Sequence, residues 1–391
     1  MAKTVILGTA RTPVGKLGGG LSSTPPVQLG GIAIAAALER AGVAPEQIEH
    51  VVMGHVIQAG QGQITARQAQ IAAGIPNHVS SETVNKVCTS SIRSIAIIDL
   101  LVRAGELGVG VAGGMESMSL APYLLPNARF GYRLGDGKTL DAMVHDGLTN
   151  SFTHKQMFEE TTVVADEHGW SREQLDRWAL RSHEKALAAI DEGRLGEEIV
   201  PVTIKGRKGD TVVDTDEGPR RGSSLEALAK LPGLVKGGTH TAGNSPGVND
   251  GAGALVLASD EWAAANGKEV LGEVVAFGQA AGEFPNLLTT PGKASFKALE
   301  KAGLTPADVD VWEINEAFAS VALNTIKDLG IDEDKVNVNG GAIALGHPLG
   351  ASGARITGSA LLELRRRGGG IAVATACSGT GQGDAIVIKV G

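Results

Sequence analysis

The two cysteines of this 391-residue chain stand in sequence surroundings that suit sulfur chemistry. Cys88 lies in the segment Asn-Lys-Val-Cys-Thr-Ser-Ser, directly before an amphipathic helix predicted over 89–104. A thiol at a helix N-terminus feels the positive end of the helix dipole, which lowers its pKa and makes thiolate available. Free backbone N–H groups there can also hold a thioester oxygen as it becomes an oxyanion. The alternative is a buried cysteine that serves as a small apolar side chain, which is the commoner case for a single cysteine.

Cys377 ends an apolar strand and opens the glycine-rich turn Cys-Ser-Gly-Thr-Gly-Gln-Gly. The glycines let the backbone approach a reacting atom closely, and the N–H of Gly379 is a candidate oxyanion donor. A tight turn between two strands, which needs glycine for positive φ, explains the same residues equally well. The turn alone leaves both interpretations open.

Two further polar residues follow predicted strands. His347 lies in the glycine-rich stretch 340–353, where an imidazole could take a thiol proton or polarise a carbonyl oxygen. Asn315 follows the strand 309–314, and its amide could cap the next helix or orient a water or a substrate oxygen. Most single loop histidines are surface residues, but the glycine density around His347 favours a site. Because α/β folds place ligands at the carboxyl ends of strands, we expect such residues to meet there.

Strands alternate with helices in the first part of the chain, which indicates an α/β fold with helices on both faces of a parallel sheet. We predict strands over 4–8, 50–56 and 108–113 and helices over 27–41, 64–73 and 89–104.

An internal repeat indicates a duplicated fold. The segment ALERAGVAP at 37–45 returns as ALEKAGLTP at 298–306, with six of nine positions identical at an offset of 261. Both copies end a helix and lead into an apolar strand, and the stretch around Gly113 returns as the strand that ends at Cys377. We therefore predict two similar mixed-sheet halves stacked as layers, with the His347 loop as the counterpart of the Cys88 loop.

Residues 119–248 have a different character, with a charged helical stretch over 171–192, turn-rich segments and most of the basic clusters. We interpret them as an inserted loop domain that binds ligand or partner subunits. The predicted N-terminal half comprises 1–118 and 249–270, and the predicted C-terminal half comprises 271–391.

Charge and hydropathy argue against several classes of protein. The formal net charge is −8 and no basic stripe is present, so a nucleic-acid partner is not expected. The best apolar stretch, 30–38, is too short to span a bilayer, and the first residues lack the apolar core of a signal peptide. Two cysteines do not suggest a disulfide framework. We expect a cytoplasmic protein that does not bind membranes.

Four motifs together resemble the thiolase family in order and spacing. They are Asn-Lys-Val-Cys at 85–88, Asn-Glu-Ala-Phe at 315–318, Gly-His-Pro at 346–348 and Cys-Ser-Gly-Thr-Gly at 377–381. The stretch 337–355 is similar to the family's histidine loop almost throughout, and segments 146–149 and 241–244 of the insertion also fit. One such motif would be a weak signal, whereas four in order are a strong one.

The resemblance implies an acetyl-CoA C-acetyltransferase, or a 3-ketoacyl-CoA thiolase with a broader chain-length range, acting by a ping-pong mechanism. Cys88 would be acylated, with His347 favouring its thiolate, and Cys377 would exchange the second proton at the α-carbon of acetyl-CoA. One oxyanion pocket would use the N–H groups of Cys88 and Gly379. The other would use His347 and a water held by Asn315.

Coenzyme A and its acyl esters are the implied substrates, with neither a metal nor a tightly bound cofactor. The region of Arg220 and the insertion would hold the nucleotide, and a glycine-lined channel would hold pantetheine. The binding residues expected from the resemblance are Leu148, Met157, Arg220, Leu231, Ala242, Ala317 and Phe318. The resemblance also implies a homotetramer in which segment 121–143 lies between dimers.

The chain departs from the family's pattern around the expected substrate channel. Thr380 stands where glycine is common, Gln156 and Phe158 flank Met157, Pro246 replaces a small serine, and Thr-Thr-Pro at 289–291 replaces a glycine-rich turn. Phe158 could shorten the acyl tunnel or pack elsewhere, so chain-length preference stays open.

Two alternatives to a catalytic thiolase follow from the same residues. A decarboxylating ketoacyl synthase of the same architecture would use a cysteine with two histidines, or with one histidine and one asparagine. Here Asn315 stands at the position of a second histidine, and Cys377 supplies an extra acid–base group that argues against such a synthase. An acyl-CoA-binding relative without turnover would be expected to lack one of the four key residues, and all four are present.

Overall fold

The computed structural model describes residues 2–391, and its first part alternates strands and helices as predicted. The predicted elements are all present, with bounds that differ from the predictions by at most four residues. They are β1 (Thr4–Arg11), β2 (Gly15–Lys16), α1 (Pro26–Ala41), β3 (His50–Gly54), α2 (Thr65–Ala72), β4 (Ser80–Val84), α3 (Ser90–Arg103) and β5 (Val109–Ser117).

The stretch after β5 contains three α-helices, a 3-10 turn (Ala128–Phe130), a π-helical turn (Met143–Leu148) and two short antiparallel strand pairs. Its elements are β6 (Tyr123–Leu124), β7 (Leu140–Asp141), α4 (Met157–Glu167), α5 (Arg172–Asp191), β8 (Val202–Ile204), β9 (Thr211–Val213) and α6 (Leu225–Ala229). The predicted boundaries of this insertion, 119 and 248, stay a prediction. No helix within residues 2–391 combines the length and the apolar character needed to cross a bilayer.

The last part of the chain repeats the order of the first. Its elements are β10 (Asn249–Ser259), α7 (Asp260–Ala265), β11 (Gly272–Ala281), α8 (Thr290–Ala302), β12 (Val311–Ile314), α9 (Ala319–Leu329), α10 (Ala342–Leu345), α11 (Ser352–Arg367), β13 (Gly370–Ser378) and β14 (Gln382–Val390). Helices α1 and α8 end alike at Gly42 and Gly303, which have φ of +58° and +69°. Glycine adopts this left-handed conformation at little cost, which explains why the repeat keeps it at both helix ends.

A ten-stranded mixed sheet runs through the molecule in the order β12-β13-β14-β11-β1-β10-β5-β3-β4, with β2 beside β10. The two halves join where Thr4–Ile6 of β1 pairs with Gly272–Val274 of β11. Strand β3 is parallel to β4 and β5, and β12 is parallel to β13. The parallel sheet inferred from the alternating pattern is wrong for the other pairs, which are antiparallel. A three-residue turn joins β13 to β14, and so short a connection permits only antiparallel pairing.

Alternate residues of the strands point into different apolar layers. In β10, Val256 packs with α1, whereas Leu255 packs with α3 and α11 in a middle layer. In β14, Ile388 packs in the same middle layer, whereas Val387 packs with α8 and α9. Helices α3 and α11 therefore lie between the two halves of the sheet, with α1 and α2 on one outer face and α8 and α9 on the other. The duplicated, layered α/β fold is confirmed.

Strand register makes the two halves comparable residue by residue. Met53 pairs with Gly113 on β3 and β5, and Ile314 pairs with Thr375 on β12 and β13. The equivalent positions beyond these pairs are Gly54 and Asn315, His55 and Glu316, and Glu116 and Ser378. The loops that carry the predicted catalytic residues all begin near these strand ends.

Candidate active site

An apolar cavity of about 160 Å³ lies where the loops after the parallel strands meet the insertion. Cys88, His347, Cys377 and Gly379 line this cavity. Asn315 lies behind the histidine ring, with its Nδ2 atom 3.4 Å from His347 Nε2. The fold thus brings together all five predicted catalytic residues, which come from both halves.

A tight turn positions the Cys88 thiol at the start of α3. Val87, directly before it, has φ of +46°, a conformation that costs a β-branched residue about 1–3 kcal/mol. The turn is held by neighbouring polar groups: Asn85 Oδ1 accepts from the Val87 N–H at 3.0 Å, and the Ser90 hydroxyl donates to the Val87 carbonyl at 2.7 Å. Such local bonds keep the sulfur in one orientation against the cavity.

Burial raises the pKa of Cys88 to about 12, while the N–H groups of Gly379 and of Cys88 itself oppose the rise. The lowered pKa that we predicted from the helix dipole is therefore wrong, because the loss of water around a thiolate outweighs the helix end. Cys88 is a neutral thiol in this cavity. Its deprotonation must accompany its attack on a substrate.

Cys377 is fully buried near the end of β13. Burial, followed by the nearby Cys88, raises the pKa of its thiol well above the ordinary value. Two thiols that repel each other's charge cannot both ionise, so at most one of them is a thiolate at any moment. This coupling suits a site in which one sulfur loses a proton while the other holds or gains one.

His347 is held as a neutral ring. Its backbone N–H donates to Asn249 Oδ1 at 2.9 Å, and its Nδ1 lies 2.6 Å from the Ser352 hydroxyl. Because that hydroxyl donates its one proton to the Pro348 carbonyl, Nδ1 carries the ring proton and Nε2 is the acceptor. Burial and then the charge of Arg355 lower the pKa of His347 to about 3.

Asn315 does not cap a helix. Helix α9 begins only at Ala319, and its N-cap is Phe318, so the capping alternative for Asn315 is excluded. Asn315 Oδ1 is buried and has no hydrogen-bond partner among residues 2–391. A buried acceptor without a partner is uncommon in proteins and is typical of a position that a water or a ligand fills.

The carboxylate of Glu316, the next residue, fixes this strand end. It accepts hydrogen bonds from Trp178 Nε1 at 3.0 Å, Ser182 Oγ at 2.7 Å, Asn337 Nδ2 at 2.9 Å and the Ile343 N–H at 2.9 Å. The donors belong to α5, to the loop before α10 and to α10 itself. A buried, fully bonded carboxylate thus ties the insertion to the C-terminal half beside Asn315.

Comparison with known proteins agrees with this geometry over the whole chain. Residues 4–261 match the thiolase N-terminal domain, and residues 268–390 match the thiolase C-terminal domain. The chain belongs to the thiolase family. A probable acetyl-CoA acetyltransferase of Mycolicibacterium smegmatis is 49% identical over 98% of this chain and 100% of that protein. The acetyl-CoA acetyltransferase of Cupriavidus necator is 45% identical over 100% of both proteins.

A solved structure gives the same result for the fold. The crystal structure of the Bacillus anthracis acetyl-CoA acetyltransferase matches with a TM-score of 0.97 and 40% identity, covering 100% of this chain and 99% of that one. This thiolase is therefore an acyltransferase. The decarboxylating ketoacyl synthase considered from the sequence is set aside.

Four of the seven predicted binding residues line the cavity of this thiolase: Leu148, Met157, Ala317 and Phe318. The other three do not. Arg220 and Ala242 are exposed on the insertion, and Leu231 is half-buried after α6. Their proposed contact with coenzyme A therefore stays a prediction about the surface outside the cavity.

Phe158 also lines the cavity, where it packs with Leu287 and Phe318 on the same side as Cys377. Of the two alternatives for Phe158, a place in the tunnel wall or one elsewhere, the structure favours the wall. Thr380, the other departure in the motifs, has φ of +65°, a conformation that favours glycine.

Sequence reasoning missed the residues that hold the catalytic groups in place. Glu316 was visible only as part of a motif, and Ser352 only as one residue of the histidine loop. Glu116 drew no attention, although a carboxylate inside the apolar strand Gly-Gly-Met-Glu-Ser is an unusual buried group.

Proposed function

We propose that this thiolase is an acetyl-CoA C-acetyltransferase, which condenses two acetyl-CoA molecules to acetoacetyl-CoA and cleaves that product with coenzyme A in reverse. The observation that carries the proposal is the placing of two neutral thiols, Cys88 and Cys377, beside an unprotonated His347 in one apolar cavity. The names of the relatives support the same substrate.

In the first half-reaction, Cys88 Sγ attacks the thioester carbon of acetyl-CoA while His347 Nε2 takes the thiol proton. The N–H groups of Cys88 and Gly379 stabilise the oxyanion, as they already point at the Cys88 sulfur. The carbon–sulfur bond to coenzyme A then breaks, and the leaving thiolate receives a proton from Cys377. Cys377 is now the thiolate, and His347 keeps the Cys88 proton on Nε2. The product is acetyl-Cys88.

In the second half-reaction, the Cys377 thiolate takes a proton from the α-carbon of a second acetyl-CoA. A water held by Asn315 Oδ1, together with the protonated Nε2 of His347, stabilises the enolate oxygen, and the carbanion attacks the acetyl carbon on Cys88. The bond from that carbon to Cys88 breaks, the sulfur receives the proton from His347, and acetoacetyl-CoA leaves. Cleavage follows the same steps in reverse.

A 3-ketoacyl-CoA thiolase with a broader chain-length range is the second candidate. The apolar walls of the cavity, which include Met118, Leu148 and Leu287, could also accept a longer acyl chain. Phe158 occupies part of that wall and favours the short-chain activity.

Thiolysis of 3-ketoacyl-CoA esters of increasing chain length tests both candidates. We expect rapid cleavage of acetoacetyl-CoA, a steep fall with longer chains, and no turnover in Cys88→Ala. Phe158→Ala is expected to shift the preference toward longer chains, whereas Phe152→Ala, which alters an exposed phenylalanine outside the cavity, is the matched control. A wild type that binds acyl-CoA but cleaves none of the series rules out the proposed activity.

The proposal includes a homotetramer formed through segment 121–143. Its large apolar side chains are exposed: Tyr123 is 69% exposed, Phe130 88% and Leu134 100%. A cluster of that kind is typical of a surface that a partner covers. Light scattering is expected to show a tetramer for the wild type and a smaller species for Phe130→Asp combined with Leu134→Asp.

We further propose a cytoplasmic location. Both cysteines are free thiols, and the proposed reaction needs them reduced. A reducing compartment keeps them so.

A further inference from the structure

The carboxylate of Glu116, at the end of β5, joins the loops that carry the site. Its Oε1 atom accepts from the Ile57 N–H at 3.0 Å, and its Oε2 atom accepts from the N–H groups of Val56 at 3.1 Å and Gly350 at 2.9 Å. Gly350 lies three residues after His347. The Val56 carbonyl in turn accepts from Asn85 Nδ2 at 3.3 Å, three residues before Cys88.

The C-terminal half has an equivalent hydrogen bond between a strand end and a loop, made by a different residue. Ser378 occupies the position on β13 that Glu116 occupies on β5, and its hydroxyl donates to the Lys86 carbonyl at 2.6 Å. Lys86 belongs to the Cys88 loop, as Gly350 belongs to the His347 loop. The end of each half's strand therefore binds the loop that precedes the other half's central helix.

The neutral Ser378 shows that fastening a loop does not require a charge. A buried ionised carboxylate costs several kcal/mol unless it is well bonded, so a charged group at Glu116 needs a further reason. Glu116 is fully buried, and burial raises its pKa to about 7 against the effect of its three N–H donors.

The groups around Glu116 provide no positive charge to balance its carboxylate. His55 Nε2 lies 3.4 Å from Glu116 Oε1, but burial lowers the pKa of His55 to about 4, so that ring is uncharged near neutral pH. The other charged neighbour, Asp250, is an acid and raises the pKa of Glu116 further. The electrostatic field of Glu116 also acts on Cys88 and raises the pKa of its thiol.

We propose that Glu116 is a positioning residue of the thiolase reaction, which sets the placement of Cys88 relative to His347 and, when ionised, holds a negative charge near Cys88. The catalytic part of this inference rests on the proposed function. The charge keeps the proton on Cys88 until His347 accepts it, so that a reactive thiolate does not persist in the cavity.

Two variants separate the role of the Glu116 charge from the role of its side-chain length. Glu116→Gln removes the charge at nearly constant size, and Glu116→Asp keeps the charge but shortens the side chain. Glu363→Gln is the matched control, because Glu363 is also buried and hydrogen-bonded, to Asn339 and to Arg367, but does not line the cavity.

The first measurement is the pH dependence of Cys88 alkylation by iodoacetamide in the Cys377→Ala background, with the modified residue identified by mass spectrometry. Below its pKa, the alkylation rate of a thiol follows the thiolate fraction. Above the Glu116 pKa of about 7, where that carboxyl is ionised, we expect Glu116→Gln to react about tenfold faster, equivalent to one pKa unit of Cys88. The difference is expected to shrink at lower pH, where Glu116 of the parent enzyme is protonated. Glu116→Asp and Glu363→Gln are expected to follow the parent profile.

The second measurement is steady-state thiolysis of acetoacetyl-CoA in the Cys377-containing enzyme. Both Glu116 variants are expected to lose about tenfold to a hundredfold in kcat with little change in KM, because a small misplacement of reacting groups is costly. An alkylation profile of Glu116→Gln that coincides with that of Glu363→Gln, or an unchanged kcat in both Glu116 variants, overturns the proposal. Alkylation needs no turnover, so it still decides the role of the charge if the wild type cleaves no ketoacyl-CoA and the proposed function fails.

Discussion

The two halves of this thiolase share one framework and differ at its strand ends. In the N-terminal half, β3 ends with Gly54 and is followed by His55, whereas in the C-terminal half β12 is followed by Asn315 and Glu316. Gly54 is closely packed: a Cβ atom there would lie 2.7 Å from Ser90 Cβ and 2.9 Å from the Gly350 carbonyl oxygen. The strand end of the N-terminal half is thus tightly packed, whereas the strand end of the C-terminal half faces the cavity.

This difference shows how a repeat becomes an active site. The repeated parts, such as the helix ends at Gly42 and Gly303, supply a rigid framework. The chemistry lies where the copies diverge, with the nucleophile on one half and the acid–base groups on the other. The following predictions test that division, from the largest expected effect to the smallest.

Substitutions of the two cysteines should impair different steps of the reaction. Cys377→Ala is expected to reduce acetoacetyl-CoA thiolysis by about 10²–10⁴-fold, the usual contribution of a proton-transfer group. It should still form acetyl-Cys88 from acetyl-CoA, because the nucleophile Cys88 and its base His347 are intact and water can protonate the leaving coenzyme A thiolate. Mass spectrometry of the enzyme after brief exposure to acetyl-CoA is the measurement. Absence of the acetyl adduct in Cys377→Ala contradicts the division of labour, and Cys88→Ala provides the negative control.

Substitution at the equivalent positions Asn315 and Gly54 should separate activity from stability. Asn315→Ala is expected to lower kcat by about 10²–10³-fold, as loss of an oxyanion-hole group does, with little change in unfolding. Gly54→Ala is expected to lose about 1–3 kcal/mol of stability through overpacking. Thiolysis rates and urea unfolding of both variants decide this. An Asn315→Ala enzyme that is active but unstable would show that the amide is structural.

The next pair of equivalent positions, Glu316 and His55, should differ in their contribution to stability. Glu316→Gln is expected to cost about 2–3 kcal/mol, because its amide nitrogen faces N–H and O–H donors and leaves at least one without an acceptor. His55→Asn should cost less, since His55 has one good hydrogen bond, between Nδ1 and Thr65 Oγ1 at 2.9 Å. Urea unfolding midpoints at one pH compare them, and equal losses would remove the distinction.

The smallest effect concerns the hairpin after β13, which has no counterpart in the N-terminal half. Thr380→Gly is expected to stabilise the protein by about 1 kcal/mol, because it relieves a β-branched residue at φ of +65°. Thermal unfolding measures the change, with Thr203→Gly on the exposed part of β8 as the control that should destabilise. If Thr380→Gly destabilises as well, the Thr380 side chain supports the turn.

Local patterns were sufficient to predict most of the framework. The repeat at 37–45 and 298–306 correctly indicated equivalent helices, and strand and helix bounds were close to those observed. The predicted parallel sheet was correct for β3 with β4 and β5 but wrong for β1, because strand direction depends on the path of the longer connections, which no local pattern records. The motifs around Cys88, Asn315, His347 and Cys377 correctly grouped residues that the fold brings to one cavity.

The electrostatics of the site could not be predicted in the same way. The helix dipole at Cys88 is a local property, whereas the burial that raises its pKa comes from distant segments such as those of Leu148 and Leu349. Likewise, Glu116 and Glu316 are isolated acids in the sequence, and their bonds to backbone N–H groups exist only in the folded chain. Tertiary contacts thus decide the charge state of groups that local motifs identify.

The middle layer of α3 and α11 has a consequence for the origin of the chain. These helices pack against both halves of the sheet and against each other, so a chain containing only one half would leave the inner face of its sheet and helix uncovered. A second copy bound face to face would cover it. The internal symmetry of this chain is therefore that of a homodimer joined into one polypeptide, in which each copy can dispense with what the other provides.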